Sequence, residues 1–168
     1  MDILLIVLRL IHIVAAVAWV GIGVTTVLYI SPAAATAGES GLRFMKTLLT
    51  RTSYARIFPA AAGITMLVGI LLYITGSANH FSTAGNIVLG IGALAGIAAG
   101  IHGGAVTGRA TRELGMALGQ YVTDGEQPIA ADGLTVLRER AFALASHSRI
   151  SLILMIVALI GMGTARYL

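Results

Sequence analysis

The run ILLIVLRLIHIVAAVAWVGIGVTTVLYI, from Ile3 to Ile30, decides the fold. Its one charge is Arg9. At about 1.5 Å of rise per residue it is long enough to cross the roughly 30 Å hydrocarbon core of a bilayer as a helix. Ala16-Val17-Ala18 mimics a signal-peptidase site, but only Asp2 precedes the run, where a secretory leader wants positive charge, and the apolar run goes on to Ile30. The pattern predicts a retained spanning helix.

Three more segments meet the same length requirement: about Ile57 to Thr75, Ala84 to Thr107 and Ile150 to Tyr167. No charged residue falls between Ile57 and Gly108. Ser31-Pro32 is expected to close the first span, and Pro59 is tolerated near the start of the second. The expected fold is all-α: an integral membrane four-helix bundle making a single transmembrane domain of residues 1–168. Spans two and three are joined by the short uncharged turn Gly76 to His80. The first connection holds an amphipathic stretch, about residues 41–50, expected to lie at the membrane interface. The third has helical patterning on both sides of Asp124 to Pro128, so helices 3 and 4 are expected to extend beyond the bilayer and turn there.

Composition supports this. Of 168 residues, 57% are hydrophobic and 11% charged, against about 25% charged in soluble domains. A mean hydropathy of +0.91 leaves too little polar surface to cover a soluble globule. The net charge of +4 does not point to nucleic acid, because the basic residues flank apolar spans, where they orient helices and meet anionic lipid. Arg43, Lys46, Arg51 and Arg56 lie in the first connection. Arg109, Arg112, Arg138, Arg140 and Arg149 lie in the third, and none lies in the second. The positive-inside rule then places both termini outside and the extensions of helices 3 and 4 on the cytoplasmic side of the cell's inner (plasma) membrane. The absence of cysteine removes disulfides, iron–sulfur clusters and thiolate metal sites.

Ionisable groups inside a span are costly, which makes them candidates for function. Arg9, His12, Ala16, Trp19 and Gly23 share one helical face. A histidine beside small residues leaves room for a flat cofactor, and an arginine one turn outward can meet a carboxylate such as a haem propionate. The alternatives are a snorkelling Arg9 and a His12 bonded to a neighbouring helix. His102 and His147 are expected near the inner surface on neighbouring antiparallel helices, where two neutral imidazoles could face across one haem; His147 could instead be an interfacial residue. Met66, Met155 and Met162 offer soft ligands for haem iron or Cu(I), or plain packing. His80 sits in the outer turn. Gly92, Gly96, Gly100, Gly104 and Gly108 form a small-residue stripe suited to close helix packing. Zinc-protease, phosphate-loop and nucleophile-elbow motifs are absent, and no span holds an acidic residue beyond Asp2 at its edge.

The stretch Leu8 to Gly21, with Arg9, His12, Trp19 and Gly21 in an R-x-x-H, six residues, W-x-G pattern, resembles the first helix of the CopD-like superfamily of four-helix membrane proteins. That superfamily includes copper-resistance proteins, HemJ-type protoporphyrinogen oxidases and uncharacterised relatives. The basic patch Arg51 to Arg56 fits the same pattern, and length and layout agree over most of the chain. The resemblance implies a haem b or copper role for His12 and supports Arg9 and Trp19. It also implies a functional lysine in a later helix for protoporphyrinogen oxidation, whereas the sole lysine here is Lys46, in a loop.

The leading expectation is therefore a small b-type haem membrane protein for electron transfer or a related redox reaction, with His12 and one of His102, His147 or Met66 as ligands. The alternatives are a copper-binding or copper-transporting protein using His12, Met66, Met155 and Met162, and a non-catalytic accessory or structural subunit. Expected partners are the lipid bilayer, a quinone or redox protein, and further copies or a larger membrane complex, with no nucleic acid.

Overall fold

A computed structural model describes residues 3–75, 82–123, 125 and 127–168. Four helices are long and apolar enough to cross a membrane: α1 (Ile3–Thr36), α3 (Tyr54–Thr75), α4 (Ala84–Tyr121) and α5 (Ala131–Tyr167). Between α1 and α3 lies the shorter α2 (Glu39–Arg51). No strand occurs among the described residues. The chain is a multi-pass, all-helical membrane protein.

α1 does not stop at Ser31-Pro32. It runs on to Thr36 because its hydrogen-bond register widens just before the proline. Thr26–Ile30 is a π-helical turn, and Ser31 N–H bonds the Thr26 carbonyl five residues back. An extra residue in the turn accommodates a ring that would otherwise crowd the preceding carbonyl. Thr26 Oγ1 donates to Ile22 O at 2.7 Å. Its one proton is then spent, so the Tyr54 hydroxyl, 2.9 Å away, must be the donor to it. That bond ties the wide turn to the start of α3. Gly38, at φ +61°, turns the chain into α2, and Gly41 packs so tightly on the Ala34 carbonyl that a Cβ there would collide with it.

α1 packs along α3 and α4 along α5, and the two pairs meet more sparsely. Trp19, Ala61, Ala99, Leu152 and Met155 fill the middle of the spans. Large apolar side chains elsewhere on the spans face outward: Val17 is 68% exposed, Leu94 69% and Ile153 62%. Lipid is their natural solvent.

A second core lies beyond the spans. Met45, Leu49, Leu114, Ala117, Leu118, Val122, Ile129 and Leu137 join α2 to the extensions of α4 and α5. The largest fully buried side chains among the described residues, Leu114, Leu118, Leu137 and Val122, are all here. The hydrophobic effect acts where water is the alternative solvent, and within the bilayer it gives helices little reason to associate. The apolar side of α2, expected to rest on the membrane, is turned onto the protein's own extensions. Its polar side fastens the α4–α5 loop. Arg43 donates to the carbonyls of Thr123, Gly125 and Gln127, Lys46 donates to Val122 O at 2.6 Å, and Glu39 accepts from Ile129 N–H at 3.1 Å.

Candidate functional sites at two histidine clusters

His12 lies half-buried on the face of α1 that meets α3. Its Nδ1 donates to the backbone carbonyl of Thr65, 2.9 Å away. That carbonyl has only lone pairs to offer, so the proton sits on Nδ1 and the Nε2 lone pair is left free. This is the tautomer a metal-ligating histidine needs, with the other nitrogen fixed by a carbonyl. The ring lies over Gly69, where a Cβ would be 2.8 Å from His12 Cε1. Arg9, one turn away, is exposed. Trp19, on the same face, is buried among Ala61, Ala99, Leu152 and Met155.

The second cluster joins α4 to α5. His102 Nδ1 stands 2.9 Å from Ser151 Oγ, and Ser151 Oγ stands 3.0 Å from Thr107 Oγ1. Residues 102 and 107 would point about 140° apart on a regular α-helix. A π-helical turn over Gly103–Thr107, closed by Gly108 N–H on the Gly103 carbonyl, swings Thr107 round to the same partner. The His147 ring packs edge-on against His102, with centroids 5.9 Å apart and planes at 60°. His147 Nδ1 is the one buried side-chain nitrogen or oxygen among the described residues without a hydrogen-bond partner.

The two clusters differ in how well they fit a haem. His12 has its Nδ1 held by a carbonyl and its Cε1–Nδ1 edge seated over Gly69, which leaves Nε2 as the nitrogen that could take a metal. The His102–His147 pair does not fit the two sides of one haem. The rings are already in contact, and Ser151, one turn from His147 on α5, bridges directly to α4 beside them. A macrocycle cannot pass between helices joined this closely.

The methionines occupy glycine notches. A Cβ at Gly100 would lie 2.5 Å from Met66 Sδ, and one at Gly23 would lie 2.8 Å from Met155 Cε. Met162 Cε lies over Gly96, 3.4 Å from where its Cβ would be. The glycine stripe therefore serves several neighbours. A spacing of four residues advances about 40° per step, so a row of five turns through about 160°. Gly92 meets the Gly161 backbone of α5, Gly100 meets Met66 of α3, and Gly104 has open space. No group of three or more histidine, aspartate or glutamate residues that could hold a metal occurs among the described residues. His80 lies outside the described residues.

Thr65, Gly69, Thr107 and Ser151 were not singled out from the sequence. A threonine in an apolar span at helical spacing from a glycine is a weak signal. Which histidine it serves depends on helix pairing, which no local pattern records. No family model, curated protein or solved structure matches the chain.

Proposed function

We propose that this protein is a small b-type haem protein of the plasma membrane, serving one-electron transfer, with His12 as an axial ligand. The observation that carries the reading is the 2.9 Å bond from His12 Nδ1 to the Thr65 carbonyl, made over Gly69. It holds the imidazole in the ligating tautomer, and the missing side chain at position 69 makes room for the Cε1–Nδ1 edge of the ring. Thr65 is well placed to keep this alignment, because its own hydroxyl is committed to Ala61 O at 2.7 Å. Arg9 supplies a cation on the same face for a propionate. Met66 and His102 are the candidates that would supply a second ligand. When bound, haem supplies the electron chemistry, while the chain supplies ligation, orientation and an apolar shell. The charged extensions are assigned to the cytoplasmic side by the positive-inside rule.

The test is the optical spectrum of the protein purified after haem-replete expression, oxidised and reduced, with elemental analysis alongside. A Soret band lost in His12→Ala supports the reading. Copper without porphyrin absorbance favours the copper-binding alternative, and absence of both leaves the accessory subunit.

A further inference from the structure

A cleft lies where spans and extensions meet. Its volume is about 460 Å³, within the roughly 300–1,000 Å³ of small-ligand pockets. One wall is the far end of α1 from Val27 to Ala35, a second is Gly38 with α2 from Glu39 to Met45, and the third is α5. Arg138, Phe142, Ala145 and Arg149 line the α5 wall. Positions 138 and 149, eleven apart, fall within about 20° of one another around a helix and roughly 16 Å apart along it. Two arginine side chains reaching from such positions can converge on one group between them.

The charges in this cleft are uneven. Glu39, its one acid, is engaged by Ile129 N–H and lies 4.0 Å from Arg43. Arg43 is spent on loop carbonyls, and Arg109 and Arg140 on Glu113. The guanidinium groups of Arg138 and Arg149 form no hydrogen bond or ion pair with any described residue, although both residues border a mainly apolar hollow. Arg149 is also the last charge before the apolar run that begins at Ile150. An occupant must therefore pair an anionic group with a hydrocarbon body, and it must reach the cleft from the level of the bilayer.

We propose that this cleft is a binding site for an anionic phospholipid, with its phosphate held by Arg138 and Arg149 and an acyl chain lying along Val27 and the α1 wall. A basic residue near a membrane contributes about 1 kcal/mol toward an anionic headgroup, or about fivefold in affinity.

The test uses the full chain reconstituted in phosphatidylcholine vesicles containing phosphatidylglycerol, followed by stepwise delipidation and native mass spectrometry of retained lipid. Wild type is expected to retain phosphatidylglycerol preferentially. The preference should fall about fivefold in R138Q or R149Q and about 25-fold in the double variant. It should persist in the charge-matched control R56Q/R112Q, whose positions lie outside the cleft. Ala145→Trp, which fills the hollow and keeps both arginines, should also abolish it. Circular dichroism confirms that each variant is folded. Equal retention of the two lipids by folded wild type would overturn the proposal, as would an equal loss in R56Q/R112Q. Displacement of the lipid by inorganic phosphate alone would overturn it as well, because the site would then read the anion and not the lipid.

Discussion

Gly92 of α4 and Gly161 of α5 meet backbone to backbone: a Cβ built on Gly161 would stand 2.9 Å from Gly92 Cα. Small residues replace hydrophobic driving force inside a bilayer by letting helices approach closely. Gly161→Ala is expected to cost about 1–3 kcal/mol, the usual range for forced overpacking. Gly104→Ala, which meets open space, should change stability by less than about 0.5 kcal/mol. Thermal midpoints in one detergent test the pair. Equal losses at both positions would show that the α4–α5 contact is not specific to Gly161.

The two cores should respond differently to the same deletion. Leu114 and Leu118 are 1% and 0% exposed, in the core beyond the spans, while Leu94 faces outward from a span. Leu114→Ala or Leu118→Ala is expected to cost about 2–5 kcal/mol, because each leaves a cavity where water is the competing solvent. Leu94→Ala exchanges contact with lipid for contact with lipid and should cost well under 1 kcal/mol. Denaturant unfolding in micelles measures the difference.

Span number and the helical extensions were legible in the sequence because both rest on local quantities, namely apolar run length and the spacing of charges. The end of α1 was misread at Ser31-Pro32 because a π turn is a change of register, and composition carries no signal for it. α2 was read as amphipathic, but an apolar face looks the same whether it covers lipid or Leu114. The histidines stood out as costly intrusions into apolar runs. Their partners, Thr65 O for His12 and Ser151 for His102, depend on which helices pair and how they are rotated. The glycine spacing did predict close packing, and it is realised at Gly92. The drift of a four-residue repeat around the helix then hands Gly100 to another neighbour.

Arg43 should act as the fastener of the α4–α5 loop. Its guanidinium bonds the carbonyls of Thr123, Gly125 and Gln127. Arg43→Ala should expose residues 122–130 to protease severalfold faster while leaving the spans intact. Arg43→Lys should restore only part of the protection, since an ammonium lacks the planar fork that reaches several acceptors at once. Limited proteolysis of the reconstituted protein reads this directly. Unchanged cleavage in Arg43→Ala would assign the loop's order to its buried Val122 and Ile129 instead.

Glu113, in the α4 extension, links Arg109 at 2.9 Å to Arg140 of α5 at 2.7 Å. The hydrogen bond from Arg109, with the charges of both arginines, holds its carboxyl below the ordinary glutamate range. A depressed carboxylate contributes stability above its unfolded pKa and loses it as pH falls through the folded one. Wild type should therefore lose a small increment of stability on acidification below the ordinary glutamate range, and Glu113→Gln should lack that increment. High salt should shrink it, because the groups are partly exposed. Matching pH profiles for the two proteins would remove Glu113 as the source.

The His12 seat can be separated into its two supports. The acceptor for Nδ1 is the Thr65 carbonyl, a backbone atom, so Thr65→Val keeps the bond while removing the hydroxyl. Gly69→Val keeps the carbonyl but drives a side chain into the imidazole, whose Cε1 already lies 2.8 Å from where a Cβ would begin. If His12 is a haem ligand, Gly69→Val should reduce the Soret band nearly as much as His12→Ala, and Thr65→Val should leave haem content close to wild type. Nearly equal helix content by circular dichroism would exclude simple unfolding. If Gly69→Val keeps full haem content with an unshifted reduced spectrum, the ring does not need this seat to bind iron, and the ligand role passes to another residue.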